Sequence, residues 1–222
     1  MTPALLNQRI VFPDPQRANA DGLVAVGGDL SLERLLVAYR TGIFPWTVNP
    51  ISWWSPDPRG IFELKEFVPH RRLARIVRKQ PCEVTRNRAF RQVMEACAEP
   101  GRGRGKTWIS PGFIEAYTAL HEAGHAHSVE CWQGEKLVGG IYGVGVGGLF
   151  AGESMFHRAD NASKIALVHL IEHLRARGYA LFDIQMVTPA TEALGAVEIP
   201  RADYLRRLAK ARELKCDFGG GG

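Results

Sequence analysis

The sequence is poor in cysteine: Cys82, Cys97, Cys131 and Cys216 stand far apart, with no Cys-x-x-Cys pair. That excludes a dense disulfide framework and fits free thiols in a reducing compartment. No apolar run approaches the ~20 residues of a membrane span, and the opening stretch MTPALLNQRIVFPDPQRANA has no signal-peptide core. A cytoplasmic protein is expected. There is no P-loop and no internal repeat.

Charge is present but unevenly spread. Residues 70–106 hold eleven Lys/Arg against Glu83, Glu95 and Glu99, a local +8, within a chain of net +5. The whole positive excess therefore lies in one segment, the electrostatic footprint of a polyanion-binding surface.

The chain reads in two textures. Residues 1–60 are rich in turn formers and suggest a small N-terminal α/β domain with one helix, LERLLVAYRTG, capped by Asp29 or Ser31 and stopped by Gly42. Residues 61–222 suggest a second domain. A basic helix is predicted over 69–79, then a CEVT strand, a helix before Pro100, a cationic GRGRGK loop, and a helix from Pro111 to Glu122 with Ser110 as cap. Three hairpin-linked strands follow: HSVECW, LVGGIYGV and LFAGESMF. The helix NASKIALVHLIEHLRARG, the strand YALFDIQM and the helix PRADYLRRLAKARELK complete the order. This is an α+β pattern, a mixed β-sheet layered with helices, and it resembles the acetyltransferase-like (GNAT-type) core.

Six motifs bear on the chemistry. HEAGH at 121–125 spells a zinc-peptidase pattern, but Gly124 reads as a helix stop, so His121 and His125 should diverge and no metal is expected. The junction FHRADNASK lacks the glycines that acetyl-CoA binding normally requires, which weakens an N-acetyltransferase reading. GIFPW and WWSPDPRG offer either a rigid aromatic plug or a stacking face, Trp46 or Trp53, for a nucleobase, with Trp108 beside the cationic loop. GESMF and LFDIQM set polar residues into apolar strands. Alternation puts Glu153 with Met155 on one face, opposite Phe156, and puts Asp183 with Gln185 on one face of theirs. Spacing alone leaves open whether these are structural anchors or a reaction site.

Together, FPDP, GLVAVGGDLS, LLVAYRTGIFPW, WWSPDPRG, TWISPGFIEAYTALHEAGHAHSVECW, LVGGIYGV, LFAGESMF, NASK and LGAVEIPR resemble the leucyl/phenylalanyl-tRNA–protein transferase family, from residue 10 to about 205. The resemblance implies an aminoacyltransferase. It would move Leu or Phe, and Met more weakly, from aminoacyl-tRNA to the N-terminal Lys or Arg of acceptor proteins, marking them for N-degron degradation. No metal or cofactor is implied. Asp183 and Gln185 match the family's catalytic pair, and Glu153 lies beside the acceptor site. Trp46, Trp108, Tyr39 and Tyr117 match the cleft for the tRNA 3′ adenosine. Ile141, Phe150, Met155, Leu167 and Leu170 would line the aminoacyl side-chain pocket. Arg71, Arg72, Arg75, Arg78 and Lys79 would hold tRNA phosphates.

One departure stands out. The family tends to follow its catalytic pair with Asn and His, whereas this chain continues MVTPAT. Because a carboxamide is a very weak base, Gln185 is expected to orient the attacking amine, with Asp183 fixing the amide and offsetting positive charge. The alternatives are an acetyl-CoA-dependent N-acetyltransferase and a non-catalytic RNA-binding protein.

Overall fold

A computed structural model describes residues 3–100 and 107–219. Within residues 4–54, a stretch rich in turn formers, a four-stranded sheet forms. Its strands are β1 (Ala4–Leu6), β2 (Leu23–Gly27), β3 (Phe44–Val48) and β4 (Ile51–Trp54), in spatial order β1-β2-β4-β3. Between β2 and β3 runs α1 (Leu32–Arg40), whose N-cap Ser31 accepts from the Arg34 amide. The reason for the sheet is apolar burial: Val24, Ala25, Phe44 and Trp53 join one cluster with Leu35, Ala38 and Tyr39 of the helix, the pairing of β2 with β4 shifting register between Leu23 and Ala25.

β5 (Arg59–Phe62) then enters a second sheet. It spans the boundary placed between residues 60 and 61. After it come α2 (Arg71–Arg78), β6 (Glu83–Arg86), α3 (Phe90–Ala98) and α4 (Pro111–Glu122). His70 caps α2 by accepting the Leu73 amide at 3.3 Å. Ser110 occupies the N-cap of α4 but makes no side-chain cap bond. The predicted GRGRGK loop lies outside the described residues.

The hairpin strands are β7 (Ala126–Gln133), β8 (Lys136–Val146) and β9 (Leu149–His157); α5 (Ala162–Ala176) crosses to β10 (Leu181–Gln185), which runs parallel to β9. A short α6 (Pro189–Glu192), an edge strand β11 (Val197–Ile199) and α7 (Arg201–Ala211) finish the chain. Neither α6 nor β11 is legible in the hydrophobic pattern. The sheet order is β11-β5-β10-β9-β8-β7-β6.

Three apolar clusters cover it, the smallest joining Ile61, Leu149 and Leu181 to Tyr204 and Leu208 of α7. Leu73 of α2 and the α5 stripe of Ile165, Leu167, Leu170, Ile171 and Leu174 pack with Ile141 and Phe150. α1, α3 and α4 pack with Tyr142, Val144 and Ala151. Gly139 of β8 touches Ala162 so closely that any Cβ there would collide with the first turn of α5. The architecture is therefore mixed α+β with mixed sheets. Among the described residues no helix is long and apolar enough to cross a membrane.

Candidate functional site

The site lies where β9 and β10 part. Their parallel pairing runs Leu181↔Leu149, Phe182↔Phe150 and Asp183↔Ala151, and ends there. Both strands then bulge. On β9 the register with β8 jumps from Gly143↔Gly152 to Tyr142↔Ser154, which leaves Glu153 as the extra residue. The jump reverses the expected alternation. Met155 packs toward the α5 cluster, while Phe156 joins the cluster under α1, α3 and α4. Glu153 reaches Tyr39 of α1.

On β10 the register with β5 jumps between Asp183↔Ile61 and Gln185↔Gly60. Gln185 takes φ +61°, in the left-handed region. Simple alternation therefore does not carry through LFDIQM. The chain leaving Gln185 crosses directly over Gly60, where an added Cβ would stand 2.8 Å from the Met186 carbonyl carbon.

These bulges build a polar network inside an apolar shell. Asp183, 1% exposed, is gripped by Arg59: Nε donates to Oδ1 at 2.8 Å and Nη2 to Oδ2 at 2.6 Å. Tyr204 of α7 donates to Oδ2 at 2.9 Å. A third interaction links the pair found in the sequence: the Gln185 backbone N–H donates to Asp183 Oδ1 at 2.9 Å. The contact from Asp183 thus runs to the Gln185 main chain, and the carboxylate's charge is opposed by Arg59. The Gln185 side chain instead donates from Nε2 to Glu153 Oε1 at 3.1 Å, and Tyr39 donates to the same oxygen at 2.8 Å.

Burial, opposed by the Tyr39 hydrogen bond and reinforced by the Asp183 charge, pushes the Glu153 carboxyl up to about 8. Tyr39 and Tyr117 share a short hydroxyl contact, and both are wholly buried. Burial first, and then the Glu153 charge, holds both phenols well above their usual range, so they stay protonated donors. They sit behind Glu153 rather than on the walls of either cavity below.

Two cavities meet at this network. One, of about 160 Å³, is lined by Phe62, Ile141, Met155, Leu167, Ile184 and Thr191 among others. Of the five expected pocket residues it takes Ile141, Met155 and Leu167. Phe150 and Leu170 are each 1% exposed and belong to the packed layer beneath. The other cavity, about 210 Å³, is walled by Phe44, Pro45, Trp46 and Trp108, with Gln185 at its edge. Trp54 props the Trp46 indole edge-on at 5.4 Å, and Phe113 props that of Trp108 at 5.2 Å. Trp53, the other stacking candidate, is fully buried and donates to the Gly27 carbonyl at 2.8 Å. Glu153, Ile184, Met186 and Thr188 line both cavities. Phe62, Ile184, Met186, Thr188 and Thr191 were missed, because their convergence depends on β5, the β10 bulge and the divergent loop.

On the outer side of α5 and α2 a groove of about 710 Å³ is lined by Arg71, Arg72, Arg75 and Arg78 with Val168 and Glu172. Lys79 caps the C-terminus of α2 and is absent from that lining. Leu167 and Val168, adjacent on α5, look into the apolar cavity and the basic groove respectively. The HEAGH histidines diverge: α4 ends at Glu122, Gly124 turns left-handed at φ +79°, and His121 Nδ1 bonds the Ala126 carbonyl at 2.8 Å. Among the described residues no group of three or more His, Cys, Asp or Glu could hold a metal ion.

Residues 61–209 match the family described as leucyl/phenylalanyl-tRNA protein transferase, and residues 28–57 match its N-terminal domain. The chain belongs to the leucyl/phenylalanyl-tRNA–protein transferase family. A relative of that name from Shewanella sp. (strain W3-18-1) is 50% identical over 208 residues, 92% of this chain and 88% of its own length. Another from Pseudoalteromonas atlantica is 50% identical over 210 residues, covering 93% and 90%. A solved chain titled "The structure of L-PGS from Bacillus licheniformis" aligns at 15% identity and TM-score 0.44, over 75% of this chain and 53% of that one, too distant to carry an argument. Family membership sets aside the N-acetyltransferase and non-catalytic RNA-binding alternatives.

Proposed function

We propose that this chain transfers Leu or Phe, and Met more weakly, from aminoacyl-tRNA to the α-amine of acceptor proteins beginning with Lys or Arg, in the cytoplasm, as an N-degron tag. The observation that carries this reading is the junction of the two cavities. An aminoacyl ester has an apolar side chain on one side and an adenosine on the other, and here an apolar cavity adjoins one flanked by two indoles. The ester lies over the shared wall of Glu153, Ile184, Met186 and Thr188. Trp46 and Trp108 hold the adenine, a contact worth about 1–3 kcal/mol per stacked base. The arginines of the basic groove hold tRNA phosphates without reading sequence. We also read residues 1–60 as a small domain and residues 61–222 as an acetyltransferase-like catalytic domain.

The chemistry needs an unprotonated α-amine, whose pKa is about 7.7–8.0 in solution. Its nitrogen attacks the ester carbonyl carbon, the C–N bond forms, and the C–O bond to the ribose breaks. The amine's proton leaves and the departing ribose oxygen gains one. Gln185 commits its Nε2 to Glu153 and so offers Oε1 to the amine N–H, which orients the nitrogen lone pair. Glu153 receives both its donors on Oε1, and in the ionised fraction, which grows as pH approaches the carboxyl's value of about 8, Oε2 takes the amine's proton. Asp183 works from behind, holding Gln185 by its backbone.

Graded selectivity follows from an apolar cavity, because each methylene discriminates by only about 1–3 kcal/mol. The decisive experiment incubates the protein with radiolabelled leucyl-tRNA and a peptide beginning with Arg, against an Ala-initial control. Label on the Arg peptide alone is expected, and label on neither refutes the reading.

A further inference from the structure

We propose that Arg59 is the positioning residue of the transfer site: it closes a ring of contacts that fixes Gln185 against Glu153. The inference rests on the aminoacyl-transfer reading above. Starting from the guanidinium, Nε and Nη2 hold Asp183, and Asp183 Oδ1 holds the Gln185 backbone N–H. The Gln185 side chain reaches Glu153, and Glu153 accepts from Tyr39 on α1. The chain just past α1 returns to the start, since the Gly42 carbonyl accepts from Arg59 Nη1 at 3.0 Å. One guanidinium therefore ties the strand bearing the amine-orienting amide to the helix that holds the proton-accepting carboxyl.

Several features mark this as positioning rather than contact with substrate. Arg59 is 1% exposed and sealed between aromatic rings, its guanidinium carbon 4.2 Å from the Tyr204 centroid and 5.1 Å from that of Phe44. Its target, Gln185, sits in a backbone conformation that a residue with a Cβ adopts only when its surroundings enforce it. The two oxygens of Asp183 and the Gly42 carbonyl call for a planar fork with donors in fixed directions. Lysine, a point charge with rotatable donors, cannot supply that geometry.

The test is steady-state transfer of Leu to an Arg-initial peptide by the parent protein, Arg59→Lys, Tyr204→Phe, Gln185→Ala, and each of the first two combined with Gln185→Ala. Folding is followed by near-ultraviolet circular dichroism. Arg59→Lys is expected to lower kcat about 10- to 100-fold, as a misplacement of roughly an ångström does, with KM for leucyl-tRNA little changed. Added to Gln185→Ala, it should lower kcat no further, because its effect passes through that side chain. A merely structural Arg59 would make the two losses multiply, and that outcome overturns the proposal. Should Arg59→Lys fail to fold, Tyr204→Phe, which removes one donor from Asp183, carries the same comparison at a smaller loss. A parent protein without transfer activity refutes the reading itself, whereas an active parent with an equally fast Arg59→Lys variant refutes this inference alone.

Discussion

Gln185 donates its side-chain amide to Glu153 across 3.1 Å from a backbone held at φ +61°. The left-handed conformation costs about 1–2 kcal/mol for a residue with a Cβ, and the Asp183 carboxylate restrains it through the Gln185 amide. Gln185→Gly removes both the strain and the working side chain. We expect transfer to fall at least about 100-fold, with the Tm displaced by no more than about 4 °C, near 1 kcal/mol for a chain of this size. Retained transfer in a folded Gln185→Gly protein would show that the amide does no chemistry.

Glu153 gives a pH signature in stability. Burial lifts its carboxyl from an ordinary 4.5 to about 8 in the folded protein. Between those values the native state binds the proton that the unfolded chain releases, so the Glu153 contribution is fully present below pH 4.5 and is lost as pH rises through about 8. In Glu153→Gln this loss disappears. Thermal melts across that range should show the variant gaining on the parent as pH rises. Parallel curves would contradict the assignment.

The groove of Arg71, Arg72, Arg75 and Arg78 predicts a salt-dependent KM. Arg72→Glu combined with Arg75→Glu should raise KM for leucyl-tRNA by at least about tenfold, leave kcat nearly unchanged, and flatten the dependence of KM on salt, because fewer counterions are released on binding. Kinetics at two salt concentrations check this, and a change confined to kcat would rule the groove out.

Leu167 sits in the wall of the apolar cavity and is 1% exposed. Leu167→Ala enlarges the cavity and should cost about 2–5 kcal/mol of stability. The ratio of Phe to Leu transfer, measured in one mixed reaction, should rise about tenfold as the smaller side chain loses contact. An unchanged ratio would place donor selection elsewhere.

Much was legible in the sequence because it depends on local periodicity and composition. The α5 stripe, the hairpin strands, the basic segment and the oddity of polar residues in GESMF and LFDIQM all follow from which neighbours alternate or recur. Trp46, Trp108, Ile141, Met155 and Leu167 come from the family resemblance; the fold brings the two indoles to one cavity and the three apolar side chains to the adjoining one. What the sequence could not decide begins where alternation fails. One extra residue at Glu153 reverses the facing of Met155 and Phe156, and a bulge before Gln185 turns a shared face into a main-chain contact. Arg59 reads as part of a proline-rich loop, yet it is the buried partner of Asp183. Register between strands and pairing between distant charges are settled only when the sheet closes and water is excluded, so the reacting constellation is a property of the tertiary structure.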